Sequence, residues 1–340
     1  MDATQNQKPA VLLIGGLDPQ GCAGMSADIM TVQNHGCHPL SLITGLTEQS
    51  SDGLTEFGQV SPAKMMAQYD NCQTDFDIKA IKIGLIPHIE IAQCIKDILL
   101  SFNGPVILDP VLGSTSGGVS VPDDVKTYLC EDILPLVSVV TPNLPELYAL
   151  TKSDINVDVG ANILRQKGVT SCLVKGGHAD HSLAIDYFSS SDAEFYLFNK
   201  KTISQVRGTG CVLASSLASH LASGQDIRDA MVLAKAYVAR GIRLSHKVGP
   251  YQLIHHSQQD IALVDFPKLC YQPELIGQTL EFPTCPELGI YPVVESADWV
   301  KKLVDEGIKT IQLRVKEADQ DLIQQHLQSA MSTVANKPVH

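Results

Sequence analysis

A chain of 340 residues is too long for one average domain and long enough for a large core. Its 44% apolar and 18% charged residues are ordinary for a globular protein, and a formal net charge of −12 sets aside nucleic acid and anionic membrane as partners. Nine cysteines with no C-x-x-C pair and no signal peptide point to reduced thiols in the cytoplasm, and no apolar run approaches the roughly 20 residues of a membrane span.

Residues 1–9 are polar and expected to be disordered. Val11-Leu12-Leu13-Ile14 reads as a buried strand ending in Gly15-Gly16. Leu17-Asp18-Pro19-Gln20-Gly21-Cys22-Ala23-Gly24 follows, then a helical stretch from Met25 to His35. Strand, glycine-rich loop and helix open an α/β unit whose loop faces a ligand. Asp28 is either a first-turn charge favoured by the helix dipole or a functional carboxylate.

Residues 40–47 form a second strand running into Glu48-Gln49-Ser50-Ser51. Gln49 is a loop residue on its own evidence, although its amide could read a pyrimidine edge. Helix is expected from Pro62 to Cys72, strand from Ile78 to Leu85, and amphipathic helix from Ile89 to Ser101. Pro105-Val106-Ile107-Leu108 is a strand ending at Asp109-Pro110-Val111. Asp109 is a turn-former before Pro110 or, where α/β ligands bind, a functional acid. The Gly113–Gly118 stretch after it suits a mobile flap. Strand Val137–Val140 leads to Thr141-Pro142-Asn143-Leu144-Pro145-Glu146. Glu146 starts a helix or helps hold a metal through water.

Ser171-Cys172-Leu173-Val174 runs into Lys175-Gly176-Gly177-His178, where a lysine beside glycines can reach a phosphate. Leu183–Phe188 and Glu194–Phe198 read as a hairpin. Arg207-Gly208-Thr209-Gly210-Cys211 then precedes a helix of small residues. Its free N–H groups and the helix dipole make an anion site. Gln225–His246 is a long amphipathic helix. From 10 to 262 the alternation implies a mostly parallel α/β sheet with helices on both faces. Prolines and poor periodicity mark residues 263–287 as a linker. Residues 288–340 then read β-α-β-α.

These motifs resemble the hydroxymethylpyrimidine and hydroxymethylpyrimidine-phosphate kinases of thiamine synthesis, which have the ribokinase-like fold. Gly16–Gly24 is similar to the family's G-S-D-P-S-G-G-A-G, and Ile43–Gln49 to its I-T-A-L-V-A-Q. The family's other motifs are similar to Ile81-Lys82-Ile83-Gly84, Asp109-Pro110-Val111, Thr141–Glu146, Lys175–His178 and Gly208–Cys211. The resemblance implies that Gln49 binds the pyrimidine amine, with Gly16, Ala23, Asp28, Thr47, Leu85 and Val111 at the substrate. It implies Cys211, Gly208, Gly210 and Lys175 at the catalytic centre. Asp109, Asn143, Thr209 and Arg207 are expected at ATP, and Asp109 with Glu146 at Mg²⁺. A homodimer is the expected assembly. Departures fall at Leu17, Gln20, Cys22, Thr47, Thr115–Gly117 (the family has Lys-Ser-Gly) and Arg207, where the family has His.

The tail resembles the opening of thiamine-phosphate synthase, a TIM barrel. Gln312, Arg314 and Lys316 match its Q-L-R-x-K and would contact a pyrimidine diphosphate. A barrel typically needs roughly 250 residues, so synthase activity is expected to be absent. The expected activity is ATP-dependent phosphorylation of 4-amino-5-hydroxymethyl-2-methylpyrimidine, then of its monophosphate. The alternatives are a pyridoxal or pyridoxine kinase of the same fold, or a non-catalytic pyrimidine binder. A phosphate monoester acceptor is already mostly ionised. A small neutral Cys211 would admit it where an Asp would repel it. The helix start also implies a lowered thiol pKa, which would let Cys211 assist the first transfer. Alternatively, Cys211 is only a small buried apolar residue.

Overall fold

The computed structural model describes residues 7–50, 53–113, 120–177, 182–201, 205–257, 260–278, 289–316, 319–335, 337 and 339. Contacts divide the chain into a unit ending at Gly277 and a second unit from Gln278.

In the first unit the elements run β1 (Ala10–Leu17), α1 (Gly24–Asn34), β2 (His38–Ser50), β3 (Gly53–Gln59), α2 (Pro62–Asp75), β4 (Ile78–Ile83) and α3 (Ile89–Ser101). They continue with β5 (Val106–Leu108), α4 (Asp123–Tyr128), β6 (Val139–Val140), α5 (Leu144–Thr151), α6 (Val157–Gln166) and β7 (Ser171–Val174). Then come β8 (Leu183–Ser189), β9 (Glu194–Lys200), β10 (Val206–Arg207), α7 (Thr209–Ala222), α8 (Ile227–Arg243), β11 (His246–Val248), β12 (Tyr251–Leu253) and β13 (Lys268–Cys270). The main sheet has the order β13-β9-β8-β7-β6-β5-β4-β1-β2-β3. Its middle, from β7 to β2, is parallel, and β3, β8, β9 and β13 pair antiparallel at the edges.

Side chains of a strand alternate between faces, so a strand buried on both sides is apolar throughout. Val11 and Leu13 of β1 join the core under α1, α7 and α8, while Leu12 and Ile14 join the core under α2 to α6. Short crossovers between parallel strands put every β-to-α loop at one end of this sheet. The site is built there.

Three expectations are corrected by this fold. Pro9, assigned to a disordered start, accepts the His38 N–H through its carbonyl. The assigned linker at 263–287 begins inside the first unit, since Lys268–Cys270 pairs with Tyr196–Phe198 of β9. A three-residue edge strand among prolines leaves no periodicity to read. Asp265 also ties this segment down, accepting two hydrogen bonds at 2.7 Å from Arg243. Finally β3, unanticipated, pairs with β2 where Gly, Thr and Glu resemble a loop. The proposed flap at 114–118 lies outside the described residues.

At the end of α1 away from the loops, His35 meets the His220 ring edge-on at 4.6 Å and the Tyr237 ring at a tilt at 4.5 Å, and shares a 2.8 Å hydrogen bond with Ser216. Burial, then the neighbouring His220 and Arg240, lower the His35 pKa to about 3. Burial likewise lowers His220, and lowers His256 to about 4. The unfolded chain therefore binds protons between pH 6.5 and 3 that the folded chain refuses. Stability is full above pH 6.5 and falls toward pH 3, by at most about 1.4 kcal/mol per pH unit for each histidine. Urea unfolding at pH 7 and 5 checks this. The pH 5 loss should shrink in His35→Gln, and an unchanged loss contradicts the assignment.

The second unit contains β14 (Val293–Val294), α9 (Ala297–Asp305), β15 (Gln312–Leu313) and α10 (Gln320–Val334). The two strands are parallel, and Ala297, Val300, Val304 and Ala330 form its small core.

Candidate active site

Asp109 follows β5, Asn143 and Glu146 follow β6, and Lys175 follows β7. Parallel pairing of these three adjacent strands brings the four side chains to one sheet end. Lys175 Nζ lies 2.7 Å from Asp109 Oδ1 and 3.9 Å from Glu146 Oε2. Thr141 donates from Oγ1 to the same Asp109 oxygen at 3.4 Å. The Lys175 N–H donates to the Pro142 carbonyl at 2.8 Å.

Burial opposes the Lys175 ammonium, but Asp109 and Glu146 outweigh it and hold the pKa above the ordinary lysine value. Burial pushes Glu146 up to about 7 against the attraction of Lys175, with Asp109 adding to the rise. Asn143 and Glu146 also form a reciprocal cap on α5: the Asn143 N–H donates to Glu146 Oε2 at 2.8 Å, and the Glu146 N–H to Asn143 Oδ1 at 2.9 Å. The helix-starting and ligand readings of Glu146 are thus compatible, because only one of its oxygens serves the cap. Asn143, expected at ATP, spends its side-chain oxygen on this cap.

The head of α7 meets these groups. A Cβ on Gly210 would sit 3.2 Å from Lys175 Nζ and 3.6 Å from Asp109 Oδ2, so the glycine lets the backbone approach the ion pair. Gly208, the N-cap, has φ +83°, and a Cβ there would lie 2.4 Å from the Cys22 carbonyl oxygen. Gly208→Ala should therefore destabilise the protein by at least about 1–2 kcal/mol and displace the loop. Differential scanning calorimetry and ADP titration check this; an unchanged Tm with unchanged affinity contradicts it.

The β1–α1 loop closes over the same helix start. Asp18, 4% exposed, accepts the N–H groups of Gln20, Cys22 and Ala23. Sequence reading passed over this organising role, although Asp before Pro and Gly is a turn signature. Gly24 has φ +55° and packs against the Gly16 carbonyl, where a Cβ would lie 2.5 Å away. Its backbone hydrogen-bonds the Cys211 sulfur. Leu85 lies against Gly16, 2.8 Å from where a Cβ would stand, and Thr47 donates to the Leu17 carbonyl at 2.9 Å. Val111 donates its N–H to the Asp109 carbonyl. Beyond Leu46, β2 outruns β1 and pairs only with β3, so Thr47 and the half-buried Gln49 overhang the strand ends.

Two expectations change, and Arg207 takes its place in the loop. The Cys211 thiol, expected to be acidified by the helix start, is pushed up to about 12 by burial, despite the Lys82 charge nearby. Asp28, expected against substrate, is fully buried: Oδ2 accepts from Lys82 at 2.7 Å and Oδ1 from Ser215 at 2.6 Å. It lies beneath the site. Burial opposes the Lys82 ammonium, and Asp28, with Cys211 and Asp109 beyond it, holds it firmly charged. A lysine in the buried strand Ile78–Ile83 demands such a partner, a signal the sequence reading left unused. Arg207, expected at phosphate, rests its guanidinium over the Tyr251 ring at 4.6 Å, and Tyr251 donates to Gln20 at 2.8 Å.

In the second unit Gln312, Arg314 and Lys316 are all exposed. Tyr291 donates to Gln312 at 3.1 Å, and Lys316 pairs with Glu295 at 2.7 Å.

A helix head facing a lysine and two carboxylates, at the strand ends of a mostly parallel sheet, is the arrangement a phosphotransferase of ribokinase-like fold would use. The phosphomethylpyrimidine kinase family matches residues 18–256. The hydroxymethylpyrimidine/phosphomethylpyrimidine kinase of Rhizobium meliloti is 34% identical over 73% of this chain and 98% of its own. A thiamine biosynthesis bifunctional protein of Geobacter sulfurreducens is 31% identical over 71% of this chain and 50% of its own. Among solved structures, phosphomethylpyrimidine kinase from Clostridium difficile aligns with TM-score 0.60 at 31% identity, covering 68% of this chain and 98% of that one. Pyridoxal kinase from Staphylococcus aureus, in complex with ADP, aligns with TM-score 0.69 at 23% identity over 78% and 98%. The chain belongs to the phosphomethylpyrimidine kinase family and is a kinase. No helix among the described residues is long and apolar enough to cross a membrane.

Proposed function

We propose that this kinase transfers the γ-phosphoryl group of ATP to the hydroxymethyl oxygen of 4-amino-5-hydroxymethyl-2-methylpyrimidine, and then to the resulting monophosphate. The observation that carries this reading is the Lys175–Asp109 pair set against Gly210 at the head of α7, with a neutral thiol at Cys211. The amides of Gly208, Gly210 and Cys211 receive the transferring group, and Lys175 neutralises its charge. Gln49 on the β2 overhang takes the pyrimidine amine.

Phosphoryl transfer of this kind asks the protein mainly to position reactants and stabilise charge. In the first transfer the hydroxymethyl oxygen forms its bond to the γ-phosphorus as the bond from that phosphorus to the ADP oxygen breaks, and the hydroxyl proton is released to solvent. In the second transfer the acceptor is a monoester with a second pKa near 6, so no base is needed. Asp109 and Glu146 are oxygen donors that fit Mg²⁺, which proteins hold with one or two carboxylates and the substrate's phosphates. Bound there, Mg²⁺ would supply charge neutralisation across the phosphates.

We read the second unit as similar to the opening β-α-β of a thiamine-phosphate synthase-like barrel, with Gln312, Arg314 and Lys316 at the positions that would contact a diphosphate. Parallel β14 and β15 with their intervening helix support this. Eight described cysteines, all free, support a reduced, cytoplasmic setting.

The test is purified protein with Mg-ATP and the hydroxymethylpyrimidine, with pyridoxal as competing acceptor and products resolved by mass spectrometry. Mono- and then diphosphate are expected. Phosphorylation of pyridoxal alone would replace this reading with the vitamin B6 one, and binding without ADP release would make the chain a binder.

A further inference from the structure

Besides Lys175–Asp109 and Lys82–Asp28, a further buried ion pair adjoins the peptide that follows Lys175. Asp186 of β8 and Lys235 of α8 are 5% and 6% exposed. Lys235 Nζ donates to Asp186 Oδ2 at 2.6 Å and to the Ala184 carbonyl at 3.3 Å. The other carboxylate oxygen, Asp186 Oδ1, accepts the Gly176 N–H at 3.0 Å. Gly176 immediately follows Lys175. A Cβ on Gly176 would fall 1.8 Å from the Ile185 carbonyl oxygen, so this peptide lies directly on β8 with no side chain between them.

Stability is a poor reason for such a pair. Desolvating two charges offsets most of their attraction, and an apolar pair of similar volume often does as well. An apolar pair, however, offers the Gly176 N–H no acceptor. The hydrogen bonds run in series from α8 through Lys235 and Asp186 to the residue that carries Lys175 onward. On its other side Lys175 is fixed by its own N–H to Pro142.

We propose that Asp186, oriented by Lys235, is a positioning residue for nucleotide binding: it fixes the peptide after Lys175 so that the ammonium is aimed at the phosphate site. The inference rests on Lys175 being a phosphate ligand of the kinase.

Two double variants separate positioning from mere packing. Asp186→Leu with Lys235→Met removes both the charge and the acceptor. Asp186→Asn with Lys235→Met removes the charge but keeps an amide oxygen for Gly176. Wild-type turnover is measured first, so that failure of the kinase reading itself shows before any variant is compared. The leucine variant should raise KM for ATP about tenfold, the scale of one lost hydrogen bond, with KM for the pyrimidine unchanged. The asparagine variant should stay within about threefold of wild type. If the leucine variant does not fold, Asp186→Ser with Lys235→Met, whose hydroxyl is too short to replace the acceptor, should show the same rise. A folded variant lacking the acceptor but keeping the wild-type KM for ATP overturns the proposal. So do equal rises for both substrates, or for both double variants.

Discussion

Lys175→Met is expected to lower kcat/KM for ATP about 10³-fold, the effect of removing a preorganised charge donor from a phosphoryl-transfer site. Two losses combine. The transferring group loses the ammonium that lies beside Gly210 at the helix head. Asp109, 2% exposed, loses the cation 2.7 Å away. Breaking a buried pair costs about 3–5 kcal/mol, and Lys175 at 14% side-chain exposure belongs at the lower end of that range. Tm should therefore fall along with activity. Lys175→Arg should recover the fold better than the rate, because a guanidinium needs more room than the Gly210 approach leaves. Steady-state kinetics with varied ATP, beside thermal unfolding, reads both effects. A loss below tenfold in Lys175→Met would remove this lysine from the reaction.

Cys211→Asp should suppress the second transfer about 10³-fold more than the first. A fixed negative charge about 4 Å from a phosphate monoester costs roughly 4 kcal/mol at an effective dielectric of 20. The neutral alcohol of the first step escapes that repulsion. The native thiol, pushed up to about 12, presents no charge to either acceptor. Cys211→Ala should accordingly keep both transfers within about tenfold, a smaller loss than removal of a general base would give. Single-turnover assays started from the pyrimidine and from its monophosphate give the ratio. Equal damage to both steps in Cys211→Asp would refute the charge argument.

How much of this was legible in the sequence depended on where the information lay. Asp109, Lys175 and Gly208–Cys211 stand out because charges and glycines at strand ends are local features, and the alternation of strands with helices places those ends together. Burial is not local. The helix start at Cys211 argues for an acidic thiol, and only the packed neighbourhood shows that desolvation wins. Asp28 looks like a first-turn charge until Lys82, 54 positions away, is seen beside it. Lys235 and Asp186 are 49 positions apart and carry no shared motif. The edge strands β3 and β13 are short, with turn-like residues in one and prolines around the other, so neither shows a strand's period.

A crystal structure with a non-hydrolysable ATP analogue and the hydroxymethylpyrimidine tests the central claim most directly. The account predicts the terminal phosphate on the amides of Gly208, Gly210 and Cys211, within reach of Lys175, with the pyrimidine amine on Gln49. A terminal phosphate bound away from the head of α7, or a pyrimidine seated without Gln49, would contradict it.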